Sequence, residues 1–145
     1  MKKVNVKKFE DFLNEELNLE YAQEVTHETI IGKLFQSRDL AHLYHLRTSS
    51  NEFHLAVGEY YDGIIGLIDT YVESYQGLFG KMCIEIPGSK CDIERGDDEF
   101  ILYIEGVKTS IDEYYKTVED PLLASILEQI LEVIVKVIYK LNNLF

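Results

Sequence analysis

The chain has 145 residues and a mass of 16.8 kDa, the size of one domain with room for a sizeable core. Hydrophobic residues make up 46%, which excludes a disordered chain, and 26 acidic against 14 basic residues give a net charge of -12. That balance argues against a broad nucleic-acid face, which needs clustered Lys and Arg, and no apolar run approaches the roughly 18 residues of a membrane-spanning helix.

The opening "MKKVNVKKFEDF" has lysines but no apolar stretch behind them, so it does not read as a secretory signal, and a cytoplasmic location is expected. Lys2, Lys3, Lys7 and Lys8 form a local basic arm whose ordinary role is solubility and whose alternative role is contact with nucleic acid. Phe9, Phe12, Leu13 and Leu17 then fall at helical intervals and predict a short amphipathic helix over about 5–22.

Thr26 is placed to cap a second helix over about 27–47, with Glu28 in its first turn facing the positive end of the helix dipole. Ile31, Leu34, Ala41 and His45 share one stripe of it, flanked by Ile30, Phe35 and Tyr44. The turn "RTSSNE" offers Ser50 or Asn51 as cap for a long helix over about 51–79. Its apolar side runs from Val57 through Tyr60, Ile64, Ile68 and Tyr71 to Tyr75. Gly58, Gly63, Gly66 and Gly77 lie in it, although each mid-helix glycine costs up to about 1 kcal/mol relative to alanine. Several such glycines point to a close neighbouring helix or a small bulge.

From Gly80 the character changes, and "KMCIEI", "PGS" and "KCDIE" predict an extended segment or small hairpin over about 81–95. Cys83 and Cys91 flank its turn and read as two free thiols; no CxxC spacing exists for a zinc knuckle. Phe100, Ile104, Val107, Ile111, Tyr114 and Val118 predict a helix over about 97–118. Asp120-Pro121 opens the last, about 121–143, with Leu123, Leu127, Ile130, Ile134 and Leu141 inside. Leu122, Ile126, Val133 and Val135 widen its apolar band beyond one face, which predicts a second burying surface and hence a homodimer or larger homo-oligomer. The sum is an all-α chain: a four-helix bundle with a long middle crossover and an extra N-terminal helix.

Chemistry-bearing residues gather between His42 and Glu73. His45 faces the helical partner and needs a hydrogen-bond partner or a metal. His42 is rotated toward the flank, and His54 stands where it can approach the end of the preceding helix across the turn. Glu59, Asp62, Gly66, Asp69 and Glu73 line one side of the long helix, either as a solvated face or as oxygen ligands for a divalent cation. The one Glu-x-x-His string, Glu24 to His27, straddles a helix start, and the last two helices contain no histidine, so a di-iron site inside one subunit is not expected. No glycine-rich phosphate loop or G-x-S-x-G elbow appears.

The strings "HLYHLRT", "EYYDGI", "LID" and "YQG" between His42 and Gly77, with "ILEVIVKVIYKLNNL" near the end, resemble small tailed-phage proteins, and the first segment is also similar to the Dps-like miniature ferritins. The resemblance covers about half of the chain. It implies a ferritin-like fold, a phage origin with a place in the host cytoplasm, and iron sites shared across a dimer. Carried over, the first family histidine falls on His45 and the next carboxylate on Asp62; the later acidic pair falls on Asp69 and Glu73 with a spacing about three residues short, or in another register on Glu73 and Gly77. The second family histidine falls on Gly58, with His54 one turn earlier as its substitute. The candidate metal set is therefore His45, His54, Asp62, Asp69 and Glu73, with iron or another divalent metal as its ion.

The incomplete set favours a non-enzymatic, ferritin-like, oligomeric protein without a cofactor, acting through contacts with its own copies or with a phage or host protein, or by holding a small ligand. A Dps-like iron-binding or iron-oxidising protein is the alternative, and nucleic-acid association through the N-terminal lysines is a second one.

Overall fold

The computed structural model describes residues 26–91 and 96–143. They form four α-helices: α1 (His27–Arg47), α2 (Asn51–Phe79), α3 (Asp97–Tyr115) and α4 (Pro121–Asn143). The helix expected over 5–22 lies outside the described residues.

Local chemistry sets the helix ends. The Thr26 hydroxyl accepts from the Thr29 amide while the Thr29 hydroxyl takes the Thr26 amide, a reciprocal cap that satisfies two donors at once. Ser50 caps α2 by accepting from the Phe53 amide, and Asp120 caps α4 by accepting from the amides of Leu122 and Leu123 at 3.0 Å. At the start of α3, Gly96 supplies no side-chain cap, and Asp97, Asp98 and Glu99 offset the positive end of the dipole instead. This helix stops at Tyr115, three residues before the expected 118. The Thr117 amide and hydroxyl both take the Tyr114 carbonyl, and Val118 bonds back to Tyr115, which tightens the chain into a turn. Val118 still packs on the core from that turn.

Side-chain contacts fix the topology. At one end Tyr44 of α1 meets Phe53 of α2 and Phe100 of α3; at the other, His27 of α1 meets Tyr71 and Tyr114. Helix α1 is thus antiparallel to both. Lys140 pairs with Glu59, and Asn142 with Glu105, so α4 is antiparallel to α2 and α3 as well. Neighbours are antiparallel around the square; α2 and α3 stand on one diagonal and run the same way. A link between parallel helices must travel the length of the bundle.

Residues 80–91 begin that journey along the outside of α1. The Gln36 carboxamide donates to the Gly88 carbonyl at 3.0 Å. Gly32 is buried beneath the strap, and a Cβ built there would stand 2.1 Å from the Glu85 carbonyl oxygen, so only glycine admits the strap this close. Of the extended segment or hairpin expected over 81–95, residues 80–91 contain no strand and bond instead to the side chains of Gln36 and Gln76, while the rest of the expected return falls outside the described residues. Residues 92–95 lie outside the described residues.

The core is a continuous stack of Ile, Leu, Val and aromatic side chains from all four helices. Helix α4 uses its wide band partly inside the chain: Ile126 is buried and Val133 packs on the core, because α4 touches α2 and α3 together. Leu122 and Val135 remain exposed.

Candidate functional site

Three of the four histidines meet at the corner where α1 turns into α2. His45 sits in the last turns of α1 and His54 in the first turn of α2, and the short connection folds one over the other. The two imidazoles stack with centroids 3.6 Å apart and planes 21° apart. His45 Nδ1 donates to the His54 carbonyl at 2.8 Å, and His54 Nδ1 donates to the His45 carbonyl at 2.8 Å. A carbonyl can only accept, so this pairing places the hydrogen of each neutral ring on Nδ1 and leaves each Nε2 as the lone-pair nitrogen. The pair is a reciprocal clasp.

Gly58 is part of the clasp. A Cβ there would lie 3.0 Å from Nδ1 and 3.1 Å from Cε1 of His45, closer than a side chain rests without moving its neighbour. The position where the resemblance asks for a second histidine is thus the floor on which the His45 ring lies. Tyr61, one turn further, meets His45 edge-on at 5.3 Å and stacks on exposed His42 at 4.4 Å.

The carboxylates of the candidate set do not join the histidines. Asp62, Asp69 and Glu73 are exposed on the outward ridge of α2, and Glu59 pairs with Lys140 on the side toward α4. Among the described residues no group of three or more His, Cys, Asp and Glu is placed to hold a metal ion. Near-parallel rings also send their in-plane lone pairs along near-parallel planes instead of converging, so the clasp is a poor chelate for one ion.

The fourth histidine builds a second polar cluster, which sequence periodicity does not reveal. His27, in the first turn of α1, brings Nδ1 to 2.8 Å from the Tyr71 hydroxyl and into contact with the Tyr114 hydroxyl; the two phenols lie 3.0 Å apart. Tyr75 packs on the ring at 4.3 Å. Burial pushes both phenols above the ordinary tyrosine range and lowers the proton affinity of His27, which Glu28 partly restores. The available signal was that Tyr71 and Tyr114 lie late in the apolar stripes of two helices that start at the same end of the bundle, and so arrive together near its other end.

Between the two clusters, the Ser37 hydroxyl donates to the Leu34 carbonyl at 2.7 Å, which leaves its oxygen to accept the Tyr60 hydroxyl, also at 2.7 Å. Tyr103 donates to Gln36 at 2.9 Å. These pairs satisfy polar atoms that the core would otherwise strand. A shallow cleft of about 460 Å³ opens where α1 ends beside the starts of α2 and α3, and Asp97, bonded to Arg47 at 3.2 Å and to Thr48 at 2.7 Å, stands at its edge. Cys83 and Cys91 are free thiols.

Residues 45–141 match the model of a family of unknown function, DUF5856. The chain belongs to the DUF5856 family. The matched span begins at His45 itself and takes in the clasp, Gly58 and the strap, while His27 and Gly32 lie before it. No curated protein and no solved structure matches the chain.

Proposed function

We propose that this DUF5856 chain is a ferritin-like, phage-type helical protein without enzymatic activity, which works as a homo-oligomer through protein contacts. Two observations support the reading. Parallel α2 and α3 joined by a strap along the bundle are the connection that ferritin-like bundles use. The observation that carries the contact role is at the corner. Leu46 and Leu55, each immediately after a clasp histidine, are 70% and 61% exposed on backbone that the clasp holds in place. Large apolar side chains on a preorganised backbone bury area at a reduced ordering cost, which suits an interface.

Sedimentation of the full chain at micromolar concentration tests this. The wild type sediments as a dimer or larger, and Leu46→Asp with Leu55→Asp sediments as a monomer with an unchanged helical circular dichroism spectrum. A monomeric wild type overturns the proposal, and an assembly that survives both substitutions removes the corner from it.

A further inference from the structure

The hydrogens shared among His27 Nδ1 and the two phenols admit only one protonation state in which each finds an acceptor. Neutral His27 accepts at Nδ1 and carries its own hydrogen on Nε2. Two hydroxyl hydrogens then serve two acceptors: one phenol donates to Nδ1, and the second donates to the first phenol or shares Nδ1. A proton added to Nδ1 brings a third hydrogen into the triangle and removes one acceptor. The imidazolium donates to one phenol and that phenol to the other, and the last hydroxyl hydrogen has no acceptor left among the three. Tyr71 and Tyr114 are 0% and 3% exposed, so water does not replace it without opening the junction.

Among the described residues, nothing in contact with Nδ1 absorbs the charge. The groups around the ring are Tyr71 and Tyr75 on α2, Tyr114 on α3, and Glu28 beside it on α1, while Asp120 in the following connection acts on Tyr71. Burial raises the phenols of Tyr71 and Tyr114, which therefore stay neutral across the acid range, and Glu28 acts on the ring through space from an exposed position. The corner responds differently. Both of its Nδ1 hydrogens already point at carbonyls, so a proton added to one ring at Nε2 strands no hydrogen there.

We propose that His27 is a proton-operated latch: taking up a proton at mildly acidic pH strands a buried hydroxyl hydrogen and releases the start of α1 from α2 and α3. The sign follows from burial. The folded protein holds the His27 proton less tightly than the unfolded chain, so the stability of the closed latch is present above the ordinary imidazole value of 6.5 and is lost as the pH falls below it.

Proton–carbon spectra of the histidine Cε1–H groups, recorded on the full chain with amide protection factors across the same pH series, test the latch. His27 should titrate below the ordinary imidazole range. Protection of the Ile30 amide, which bonds to the Thr26 carbonyl, should fall severalfold in step with it while that of the His54 amide holds. In His27→Gln, whose carboxamide accepts without titrating, the Ile30 protection should no longer depend on pH. Constant Ile30 protection through the His27 titration overturns the latch, as does an equal loss in His27→Gln. Should that variant not fold, the wild type decides alone, because a loss that follows the other histidines and not His27 also overturns it.

Discussion

The two ends of the bundle hold histidine in opposite ways. At the corner, His45 and His54 donate from Nδ1 to each other's backbone carbonyls and stay half exposed. At the far end, His27 accepts at the same nitrogen from phenols sealed in the core. Partners decide the tautomer: a carbonyl forces the hydrogen onto Nδ1, and two hydroxyls with no other acceptor in the cluster force it off. The corner joins two helices adjacent in sequence through paired Nδ1 hydrogens, whereas the far end joins three through one Nδ1 and two phenol hydroxyls. One residue type thus closes a short hairpin at one end and ties the start of α1 to α2 and α3 at the other.

The largest expected effect comes from filling the space that the corner keeps empty. Gly58→Val drives a branched side chain into the His45 ring, since even a Cβ would be 3.0 Å from Nδ1. Overpacking of this kind costs about 1–3 kcal/mol. Loss of a clasp hydrogen bond adds about 1 kcal/mol. Urea denaturation should show the drop, and the ring-proton shifts of His45 and His54 should move together. A variant as stable as the wild type means that the glycine is not the floor of the clasp.

Replacing one histidine at each end by phenylalanine compares the two directly. His27→Phe keeps the ring but removes the acceptor, leaving one hydroxyl hydrogen buried without a partner, at a cost of about 1–3 kcal/mol. His54→Phe also keeps a ring against His45, and the carbonyl it releases is near enough to the surface to find water, so about 0.5–1.5 kcal/mol is expected. The ordering matters more than either value. If His54→Phe is the costlier in thermal and urea unfolding, the corner and not the far end is the polar keystone.

Much of this was legible because it is local. Apolar spacing and the caps Thr26, Ser50 and Asp120 each depend on a few neighbouring residues, and they define α1, α2 and α4 closely. The end of α3 was missed because the Val118 side chain keeps the apolar rhythm while Thr117 has already closed the backbone. The demand of His45 for a partner was readable from its stripe, and so was the reach of His54 across the turn. Their mutual pairing was not, because a stack at 3.6 Å depends on the register between two helices. Gly58 and Gly32 belong to the same class. A glycine in a helix announces closeness without naming the neighbour, here an imidazole and a strap carbonyl.

The smallest expected effect concerns the acidic ridge, which separates the corner from the ligand set that its sequence suggested. Asp62, Asp69 and Glu73 are exposed, and none bonds to a clasp histidine. Asp62→Asn, Asp69→Asn and Glu73→Gln together remove three negative charges, taking the net charge from -12 to -9 (-12 + 3). Exposed substitutions away from caps and buried pairs stay within about 0.5 kcal/mol each. The small gain from reduced self-repulsion should fade with salt, because exposed charges are screened beyond about 10 Å at 0.1 M. Unfolding at low and moderate salt should therefore show at most a slight, salt-sensitive stabilisation, with the His45 and His54 ring signals unmoved. A loss above about 1 kcal/mol, or a shift of those signals, would tie the ridge to the corner and return the carboxylates to the histidines as one site.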